Sequence, residues 1–290
     1  MVYNIILMAK INQKVLMSGV GYFAVEELNP YSHKSDQPDI SKTAEEFDSI
    51  RNALTDAGVE VITVDAPEGC QDGIYTANWA LCRDGVAVLS SLPNMRQKEE
   101  FYARQVLEDQ GLTVIPAPHL FSGQGDALPY GDLVFMGQTY RTDPRMHQFI
   151  ADELGFEVIS LQTVPELDES GKPVINKVTG LPNSYFYDID LAISVISPEM
   201  IAWCPDAFTV PSQQLIRSLS IEKIEVSLEE AKVGFACNLV STGEKVVMSN
   251  HAPKLKSDLI DRGLKVVTPE ITELAKGGGY IRCTTLTLDN

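Results

Sequence analysis

The sequence lacks the long apolar run that a membrane-spanning helix needs. No stretch of its 290 residues approaches the roughly 18 to 20 consecutive apolar residues that cross a bilayer, so no membrane association is expected. The start also lacks the basic residues and the small-residue cleavage pattern of a secretory signal, and Ile5–Met8 is instead typical of a buried strand. These absences predict a cytoplasmic protein.

Basic residues are scarce. The chain has 23 Lys and Arg against 40 Asp and Glu, which gives a formal net charge of −17 with its four histidines neutral. Such a charge repels phosphate backbones, so nucleic acid is not expected as a partner, and it attracts small cations. The hydrophobic fraction of 44% still predicts a folded core, because disordered chains combine high net charge with low hydrophobicity.

Cysteine is also sparse, and none of it is arranged for a metal or a disulfide framework. The five cysteines form no CxxC pair and none of the spacings typical of zinc sites. Cys82, Cys204 and Cys237 stand among apolar neighbours, which is typical of core packing. Cys283 differs because it follows the glycines at 277–279, where a backbone can approach a ligand closely. On this context alone, Cys283 is either an exposed nucleophile or a buried residue of the last strand.

A repeated phrase organises the chain. A glycine, an apolar residue, any residue and two β-branched residues recur after helix-like stretches, and glycine is the usual residue just past a helix end. The apolar spacing before each copy predicts a helix, and the phrase itself predicts a strand. A fifth, weaker unit runs over 212–226. The helices are predicted at 44–57, 98–110, 143–154 and 253–262, and the strands follow Gly58, Gly111, Gly155 and Gly263.

Turn residues ahead of apolar runs predict β-hairpins in the same units, at 83–90, 130–136 and 242–249. The order hairpin, helix, strand recurs about five times at a spacing of roughly 50 residues, which is typical of radial or solenoid repetition. Five units around a centre place a site where their strand ends converge. Two polar segments, 29–39 and 168–184, break the pattern. The second is long enough for a lid, and a tolerated surface insertion explains either segment equally well.

Six short motifs occur in a fixed order over nearly the whole chain. They are DGIYTAN at 72–78, MRQKE at 95–99, FSGQGDAL at 121–128, YRTD at 140–143, FYDID at 186–190 and GGGYIRCTT at 277–285. Together they resemble the guanidino-group-modifying, or amidinotransferase-like, superfamily, which includes dimethylargininases, arginine deiminases, arginine dihydrolases and glycine amidinotransferase. One such motif is a weak signal, whereas six in the family order are specific.

The resemblance implies both a fold and a chemistry. The implied fold is α/β, a five-bladed α/β propeller (pentein) of ββαβ-like repeats around a central active site, in agreement with the five units above. We therefore predict one catalytic domain over residues 1–290. The family chemistry is covalent attack on a guanidinium carbon to form a thiouronium intermediate, and it needs no metal and no organic cofactor. The expected partner is a small, arginine-like guanidino compound, and a homo-oligomer is left open.

The family's catalytic positions carry over to the last two motifs. Cys283 matches the nucleophile, and Asp190 matches the aspartate of an HxD motif. Asp188 occupies the place of the histidine, which is the general acid and base in the family. An imidazole near neutral pH both accepts and donates a proton, whereas an ordinary aspartate is ionised. Asp188 can therefore replace the histidine only where burial and the neighbouring Asp190 favour a protonated carboxyl group.

The substrate-binding positions carry over to the earlier motifs. Asp72 matches a substrate-binding aspartate, and Asp126 matches the acidic end of an EGGD-like motif. Arg96 and Arg141 match arginines that bind the substrate's carboxylate or order the pocket. A guanidinium favours bidentate carboxylates, and a carboxylate favours an arginine fork. Asn78 stands where deiminases have aspartate, and its TAN motif is similar to the dihydrolase branch, which releases two nitrogens as ammonia.

Two further features depart from the family pattern. Ser122 stands where the family usually has a glutamate. Four histidines, at positions 33, 119, 147 and 251, are candidates to replace the missing one, although surface or structural roles are favoured for all of them. His119, shortly before the loop that begins at Ser122, is the only one that merits a test.

The leading hypothesis is a cysteine-dependent hydrolase that acts on C–N bonds of arginine or a substituted arginine, similar to dimethylargininases and arginine dihydrolases. Two alternatives remain. One is an amidinotransferase, which requires an acceptor amine. The other is a catalytically impaired protein that binds a guanidino compound, since Asp188 replaces the family histidine.

Overall fold

Five small sheets and the helices between their strands carry the regular structure. The computed structural model describes residues 10–138 and 140–289, so the predicted strand Ile5–Met8 lies outside the described residues. The strands of the described ranges are β1 (Lys14–Ser18), β2 (Glu60–Val64), β3 (Ala80–Arg83), β4 (Val86–Leu89), β5 (Thr113–Pro116), β6 (Ala127–Tyr130), β7 (Leu133–Gly137), β8 (Glu157–Leu161), β9 (Ile193–Ser197), β10 (Met200–Trp203), β11 (Glu222–Glu225), β12 (Val240–Ser241), β13 (Lys245–Val247), β14 (Lys265–Val267) and β15 (Leu286–Thr287). The helices of the same ranges are α1 (Ile40–Ala57), α2 (Glu99–Asp109), α3 (Arg145–Leu154), α4 (Val210–Ser218), α5 (Leu228–Lys232) and α6 (Pro253–Asp261).

Four of the sheets are each built by one continuous unit of chain. The first two strands form an antiparallel hairpin, and the third pairs in parallel with the second after a helical crossover, as parallel pairing requires. In the sheet of β3, β4 and β5, Leu81 lies opposite Val88, and Val88 lies beside Ile115 after the crossover through α2. The same order recurs in β6 to β8 with α3, in β9 to β11 with α4, and in β12 to β14 with α6.

The fifth sheet joins the two ends of the described chain. β15 pairs antiparallel with β1, and β1 pairs in parallel with β2 after α1. Asp289 holds this junction, because its carboxylate accepts hydrogen bonds from the backbone N–H groups of Gln13 and Lys14 at 3.0 Å. The expected α/β architecture of five ββαβ-like repeats is therefore confirmed. The single domain over residues 1–290 stays a prediction.

Local signals in the sequence set the helix ends. Asp39 caps α1, since its side chain accepts from the backbone N–H groups of Ser41 and Lys42. Gly58 follows the helix at φ +95°, in the left-handed region that glycine adopts without strain. α1 begins at Ile40, earlier than predicted, because Asp39 is a cap and not part of a loop. The other three predicted helices coincide with α2, α3 and α6 to within two residues at each end.

The turns of the hairpins differ in how clearly the sequence indicates them. Asp84 and Gly85 connect β3 to β4 with positive φ at both residues, as a type I′ turn requires. The predicted hairpins at 130–136 and 242–249 correspond to β6 with β7 and to β12 with β13. A fourth hairpin, β9 with β10, turns at Pro198 and Glu199 and was not predicted, because this dipeptide carries none of the usual hairpin signal.

The two polar segments that interrupt the repeats lie close together. Segment 168–184 contains an isolated strand-like bridge between Ile175 and Pro182, and a second bridge joins Pro173 to Leu167 just before the segment. The side chain of Asn176 donates to the backbone carbonyl of Glu27, just before the first polar segment, at 3.2 Å. The chain therefore brings both insertions to the same end of the propeller.

The core follows the sheets. Trp79 and Trp203 are almost fully buried, and Cys82, Cys204 and Cys237 are inaccessible to solvent, in agreement with their apolar neighbours in the sequence. Among the described residues, no helix combines the length and the apolar composition that are needed to span a membrane.

Candidate active site

The first strands of the five sheets meet near the centre of the molecule, where β15 contacts β3, and both β6 and β12 contact β9. Short 3₁₀ turns lead into β3, β6 and β9, at Thr76–Asn78, Gly123–Gly125 and Ile189–Leu191. Cys283 stands shortly before β15, and Asn238 stands shortly before β12. The repeat therefore delivers polar side chains from all five units to one end of the propeller.

A narrow cavity lies where these turns converge. Five of the predicted site residues line it, and the other three lie beneath it. Asp188 is hydrogen-bonded to a lining asparagine, Asp190 is hydrogen-bonded to the cysteine, and Asp126 accepts from the backbone between these two aspartates. The lining residues are Leu28, Asn29, Asp72, Tyr75, Asn78, Arg96, Arg141, Tyr187, Gly277, Gly279 and Cys283.

The thiol of Cys283 lies between two polar side chains. Its Sγ–H donates to Asp190 Oδ2 at 3.2 Å, and Asn238 Nδ2 donates to Sγ at 3.1 Å. Asn238 Oδ1 also accepts from the backbone N–H of Cys283 at 3.1 Å. Burial, followed by the charge of Asp190, raises the pKa of the thiol above its usual range. Cys283 is 3% exposed, so it is buried from bulk solvent and borders the cavity.

Three carboxyl groups are buried beneath the cavity. Asp188 Oδ2 accepts from Asn78 Nδ2 at 2.9 Å and lies 3.7 Å from Arg141 Nη1. Asp126 Oδ1 accepts from the backbone N–H that follows Asp188 at 3.1 Å. The Oδ1 atoms of Asp188 and Asp190 have no hydrogen-bond partner among the described residues. A buried polar atom without a partner costs free energy, so these two oxygens favour a ligand that brings donors.

Two members of this cluster, Asp126 and Asp190, bind protons more tightly than ordinary carboxyl groups do. Burial, followed by the charge of Asp188, raises the pKa of Asp190 to about 8. The same two causes raise the pKa of Asp126 well above its usual range. Burial also raises the pKa of Asp72 to about 6, although the charge of Arg96 opposes this shift. Groups that titrate near neutral pH both donate and accept protons, so the cluster has the acid–base capacity that the missing histidine supplies in the family.

Asn78 joins the cationic and anionic parts of the site. Its Oδ1 accepts from Arg96 Nη1 at 2.7 Å, and its Nδ2 donates to Asp188 Oδ2 at 2.9 Å. The hydroxyl oxygen of Ser122 also lies 2.9 Å from this Nδ2. Ser122, where a glutamate was expected from the family, therefore contacts the same amide as Asp188. Contacts on both sides fix the orientation of the Asn78 side chain.

Arg96 is held by protein groups on every side. Its guanidinium forms a bidentate pair with Glu99, at 3.0 Å and 2.9 Å, and Nη1 donates to Asn78. Nη2 also lies within 3.3 Å of the backbone carbonyl of Asp72. Burial lowers the pKa of Arg96, but Glu99, Asp72 and Asp188 together raise it above its usual range, so the guanidinium stays charged. Of the two expected roles, this geometry favours ordering of the pocket over direct binding of a substrate carboxylate.

Arg141 stands at the entrance. Its guanidinium stacks over the ring of Tyr187 at 4.1 Å, and it borders both the inner cavity and a small outer cavity. Asn29 and the segment 181–184 also line the outer cavity. Both polar insertions therefore frame the entrance, and Arg141 lies where a carboxylate would sit if a guanidino head occupied the inner cavity.

The glycine run before Cys283 is required by close packing. Gly278 has φ +93°, and a Cβ at this position would lie within 2.8 Å of all three terminal atoms of the Asn29 side chain. A Cβ at Gly279 would lie 2.5 Å from the ring of Tyr75. These clashes explain why the segment leading to Cys283 needs glycine where it passes the cavity wall.

Neither a histidine nor the residue before Cys283 in the sequence lies beside the thiol. His119 does not line the cavity; it lies near the carboxylate of Asp143, and none of the four histidines borders the site. Arg282, adjacent to Cys283 in the sequence, points away from it and donates to Thr287 and Gln124. Arg282 therefore places no positive charge next to the Sγ atom of Cys283, although the two residues are adjacent in the sequence.

Two residues of the site were not predicted. Asn238 contacts the thiol, and its place in the turn before β12 corresponds to that of Asn78 before β3. Alignment of the repeats to one another would have revealed it. Glu99 lies within a recognised motif, at the helical spacing from Arg96 that lets the two side chains pair. Within the described residues, no group of three or more His, Cys, Asp or Glu side chains is arranged to hold a metal ion.

Comparison with known proteins gives consistent similarities. A family profile described as N,N dimethylarginine dimethylhydrolase, eukaryotic, matches residues 25–289. The N(G),N(G)-dimethylarginine dimethylaminohydrolase of Mycobacterium tuberculosis is 28% identical over 277 residues, which cover 94% of this chain and 85% of that protein. The bifunctional arginine dihydrolase/ornithine cyclodeaminase ArgZ of Synechocystis is 28% identical over 284 residues, and this chain spans only 37% of its length.

Solved structures of the ArgZ N-terminal domain, an arginine dihydrolase, agree with the fold. The domain bound to product has a TM-score of 0.84 and 28% sequence identity, and the match covers 95% of this chain and 98% of that one. A variant of the same domain, with the same TM-score, identity and coverage, is covalently bonded to a reaction intermediate.

Proposed function

Because the chain belongs to the N,N dimethylarginine dimethylhydrolase family, we propose that it hydrolyses the guanidino group of arginine or a substituted arginine through a covalent intermediate on Cys283. The observation that carries this proposal is the position of the Cys283 thiol at the cavity, where Asp190 accepts its proton at 3.2 Å. Asp188 and Asp190 each have one buried oxygen without a hydrogen-bond partner among the described residues. A planar guanidinium carries the N–H donors that such oxygens need.

The positive charge of the substrate counteracts the raised pKa of the Cys283 thiol. The thiol of Cys283 has a raised pKa because it is buried next to carboxyl groups, so the free protein holds little thiolate. A bound guanidinium places a cation among these carboxyl groups and favours both the thiolate and ionised aspartates. Binding of the substrate therefore prepares the nucleophile, and a neutral analogue of the same shape does not.

The first chemical step follows from this arrangement. The Cys283 sulfur bonds to the guanidinium carbon, and its proton passes to Asp190. The tetrahedral adduct then breaks one C–N bond, and the nitrogen leaves as ammonia or as an alkylamine after taking up a proton. The carboxyl cluster supplies this proton, since its raised pKa values keep protons available near neutral pH. The product of this step is an S-linked thiouronium.

The second step decides between two products. Water adds to the thiouronium carbon, and loss of the thiol gives citrulline. Loss of the second nitrogen instead leaves a thiocarbamate, and its hydrolysis gives ornithine and carbon dioxide. Asn78 favours the second course, because its neutral amide stands near Asp188 where deiminases have another carboxylate, and it does not repel a second hydroxide-like attack. The similarity to arginine dihydrolases agrees with this choice.

A second candidate function is binding without turnover, and one observation favours it. No histidine lines the cavity, so all proton transfer depends on carboxyl groups. In that case the site holds a guanidino compound and Cys283 stays unmodified. The cytoplasmic location and a homo-oligomer likewise stay predictions.

Mass spectrometry of reaction mixtures tests the proposal. The protein is incubated separately with arginine, methylated arginines and agmatine, with and without an added acceptor amine, and Cys283→Ser is compared with Cys70→Ser. Cys70 is also a buried free cysteine, but it does not line the cavity, so its variant is the matched control. We expect ornithine and two equivalents of ammonia from arginine, retained in Cys70→Ser and lost in Cys283→Ser.

The other outcomes are equally informative. Citrulline in place of ornithine assigns the deiminase or dimethylargininase course, and a product that appears only with the acceptor amine assigns amidino transfer. Calorimetric binding without any product supports the second candidate. Turnover that persists in Cys283→Ser contradicts covalent catalysis by this residue.

A further inference from the structure

A second and larger cavity lies at the other end of the central strands. It has a volume of about 270 Å³ and opens to solvent. The hairpin tips at Gly131 and Pro198 border it, whereas the turns that lead into β6 and β9 border the active site. The two cavities therefore lie on opposite sides of the same central strands. Nothing in the proposed chemistry uses this second cavity.

One layer of backbone separates the two cavities. Arg282 lines the second cavity, and the next residue, Cys283, lines the first. Cys237 also lines the second cavity, and the next residue, Asn238, holds the Cys283 thiol. Alternate residues of two segments thus face opposite ends of the propeller.

Arg282 is a buried cation, and the side chains that accept its hydrogen bonds in the described residues are neutral. Nη1 donates to the Thr287 hydroxyl at 2.8 Å, Nη2 donates to the Gln124 amide oxygen at 2.9 Å, and Asn12 lies at 3.5 Å. All three partners are neutral, and no carboxylate among the described residues forms an ion pair with it. Burial lowers the pKa of Arg282, in contrast to Arg96, whose carboxylate partner raises its pKa. A buried charge of this kind gains free energy when an anion reaches it.

The rest of the cavity wall is largely apolar. Leu128, Ile193, Val195 and Leu239 line it from three different strands or turns. Asp289 is at the wall as well, but two backbone N–H groups already hold its carboxylate. Lys10, at the start of the described chain, adds a second positive charge. The combination of an apolar wall and a cationic end fits an amphipathic anion.

We propose that this cavity binds a small organic monocarboxylate with an apolar chain, with the carboxylate at Arg282 and the chain against Val195 and Leu239. The ligand occupies the opposite end of the propeller from the guanidino substrate. Binding requires no turnover, so the proposal stands or falls independently of the proposed function.

Calorimetric titration of the whole protein with three eight-carbon probes tests the proposal. Octanoate, octylamine and 1-octanol share a chain and differ in the charge of the head group. We expect octanoate to bind with one equivalent per chain and at least about tenfold more tightly than either of the others. Equal binding of all three would show that Arg282 does not select the ligand, and it would overturn the proposal.

Variants locate the binding site. Val195→Phe fills the cavity from β9 and is expected to weaken octanoate binding at least about tenfold; Leu239→Phe fills it from another segment and replaces the first variant if that one does not fold. Leu215→Phe, on the outer face of α4, is the matched control and keeps the wild-type affinity. Arg141→Met is also expected to keep it. Loss of octanoate binding in Arg141→Met, with retention in Val195→Phe, would place the carboxylate in the active-site cavity and contradict the proposal.

Discussion

Arg96 and the pair Asp188 and Asp190 lie on opposite sides of Asn78, and the protein treats their charges differently. The guanidinium of Arg96 is paired with Glu99 at both ends of its fork and is further held by Asn78 and backbone carbonyls. The two aspartates each keep one oxygen without a partner among the described residues. The cationic side is internally satisfied, and the anionic side is incomplete without a cation.

This difference distinguishes residues that hold the shape of the site from residues that are candidates for binding or catalysis. A satisfied buried ion pair contributes a fixed shape, and removal of one partner leaves an uncompensated charge. An unsatisfied buried carboxyl has a raised pKa and a reserve of binding free energy, which are properties of a catalytic or binding group. Arg96 and the two aspartates all come from recognised motifs, but substitutions on the two sides should have different effects on stability and activity. The four variants below test this difference.

The largest effect is expected on stability, from Glu99→Ala. This change leaves the buried Arg96 charge with only the longer, 4.0 Å contact to Asp72, and loss of one partner of a buried pair costs about 3–5 kcal/mol. Chemical denaturation measures the change in the free energy of unfolding. Glu108→Ala is the control, because Glu108 pairs with Arg104 on the exposed face of the same helix and should change stability by less than about 0.5 kcal/mol. Similar losses in the two variants would mean that Arg96 is not a structural clamp.

The next effect is expected on substrate choice, from Arg141→Ala. If Arg141 binds the substrate carboxylate, the variant loses a charge-assisted pair worth about 1.5–3 kcal/mol, which is roughly 10- to 100-fold in kcat/KM for arginine. Agmatine lacks the carboxylate and should lose far less. The ratio of the two losses is the measurement, since the contact of Arg141 with Asp188 affects both substrates alike. Equal losses would exclude carboxylate binding.

Asp188→His tests whether the site still suits the family's histidine. Asp188 accepts from Asn78 and lies near Arg141, so an imidazole breaks both contacts in a fully packed position. We expect turnover of arginine to fall about tenfold, with Asp188→Asn as the control that keeps the shape and removes the charge. A rise in turnover would show instead that aspartate is a poor substitute for histidine.

Asp190→Asn should change stability in the opposite direction to Glu99→Ala, by an amount that depends on pH. The folded protein binds a proton at Asp190 up to about pH 8, whereas the unfolded chain releases it near pH 4. Asp190 therefore makes the wild type less stable as pH rises from about 4 to about 8. The variant removes this dependence, so its melting temperature should exceed that of the wild type by an amount that grows up to pH 8. A difference that is constant with pH would contradict the raised pKa.

Much of the fold could be predicted because its signals are local. A glycine past each helix end and a turn dipeptide before each apolar run depend only on adjacent residues, and they identified the units built on α1, α2, α3 and α6. The hairpin at Pro198 and Glu199 was missed because its turn lacks these residue types. The pairing of β15 with β1 joins opposite ends of the chain, and no local pattern indicates it.

The candidate site was predicted in part, for a related reason. The motif residues Asp72, Arg96 and Cys283 do meet at one cavity, but the motifs did not distinguish a clamped arginine from one that is free to bind a ligand. The carboxylate of Glu99 makes this distinction, through its contacts in the folded protein. Asn238 was missed because its segment, before a short strand, resembled core in composition.

The sequence by itself determined the repeat, the family and the candidate reactive groups, because these depend on residue type and order. Only the tertiary structure decided which side chains share a cavity and that Arg282 points away from the thiol of the next residue. It also left one oxygen each of Asp188 and Asp190 without a hydrogen-bond partner among the described residues. The physical reason is that pKa, pairing and burial arise from groups that are close in space. The closure of five units around one centre brings together residues that are far apart along the chain.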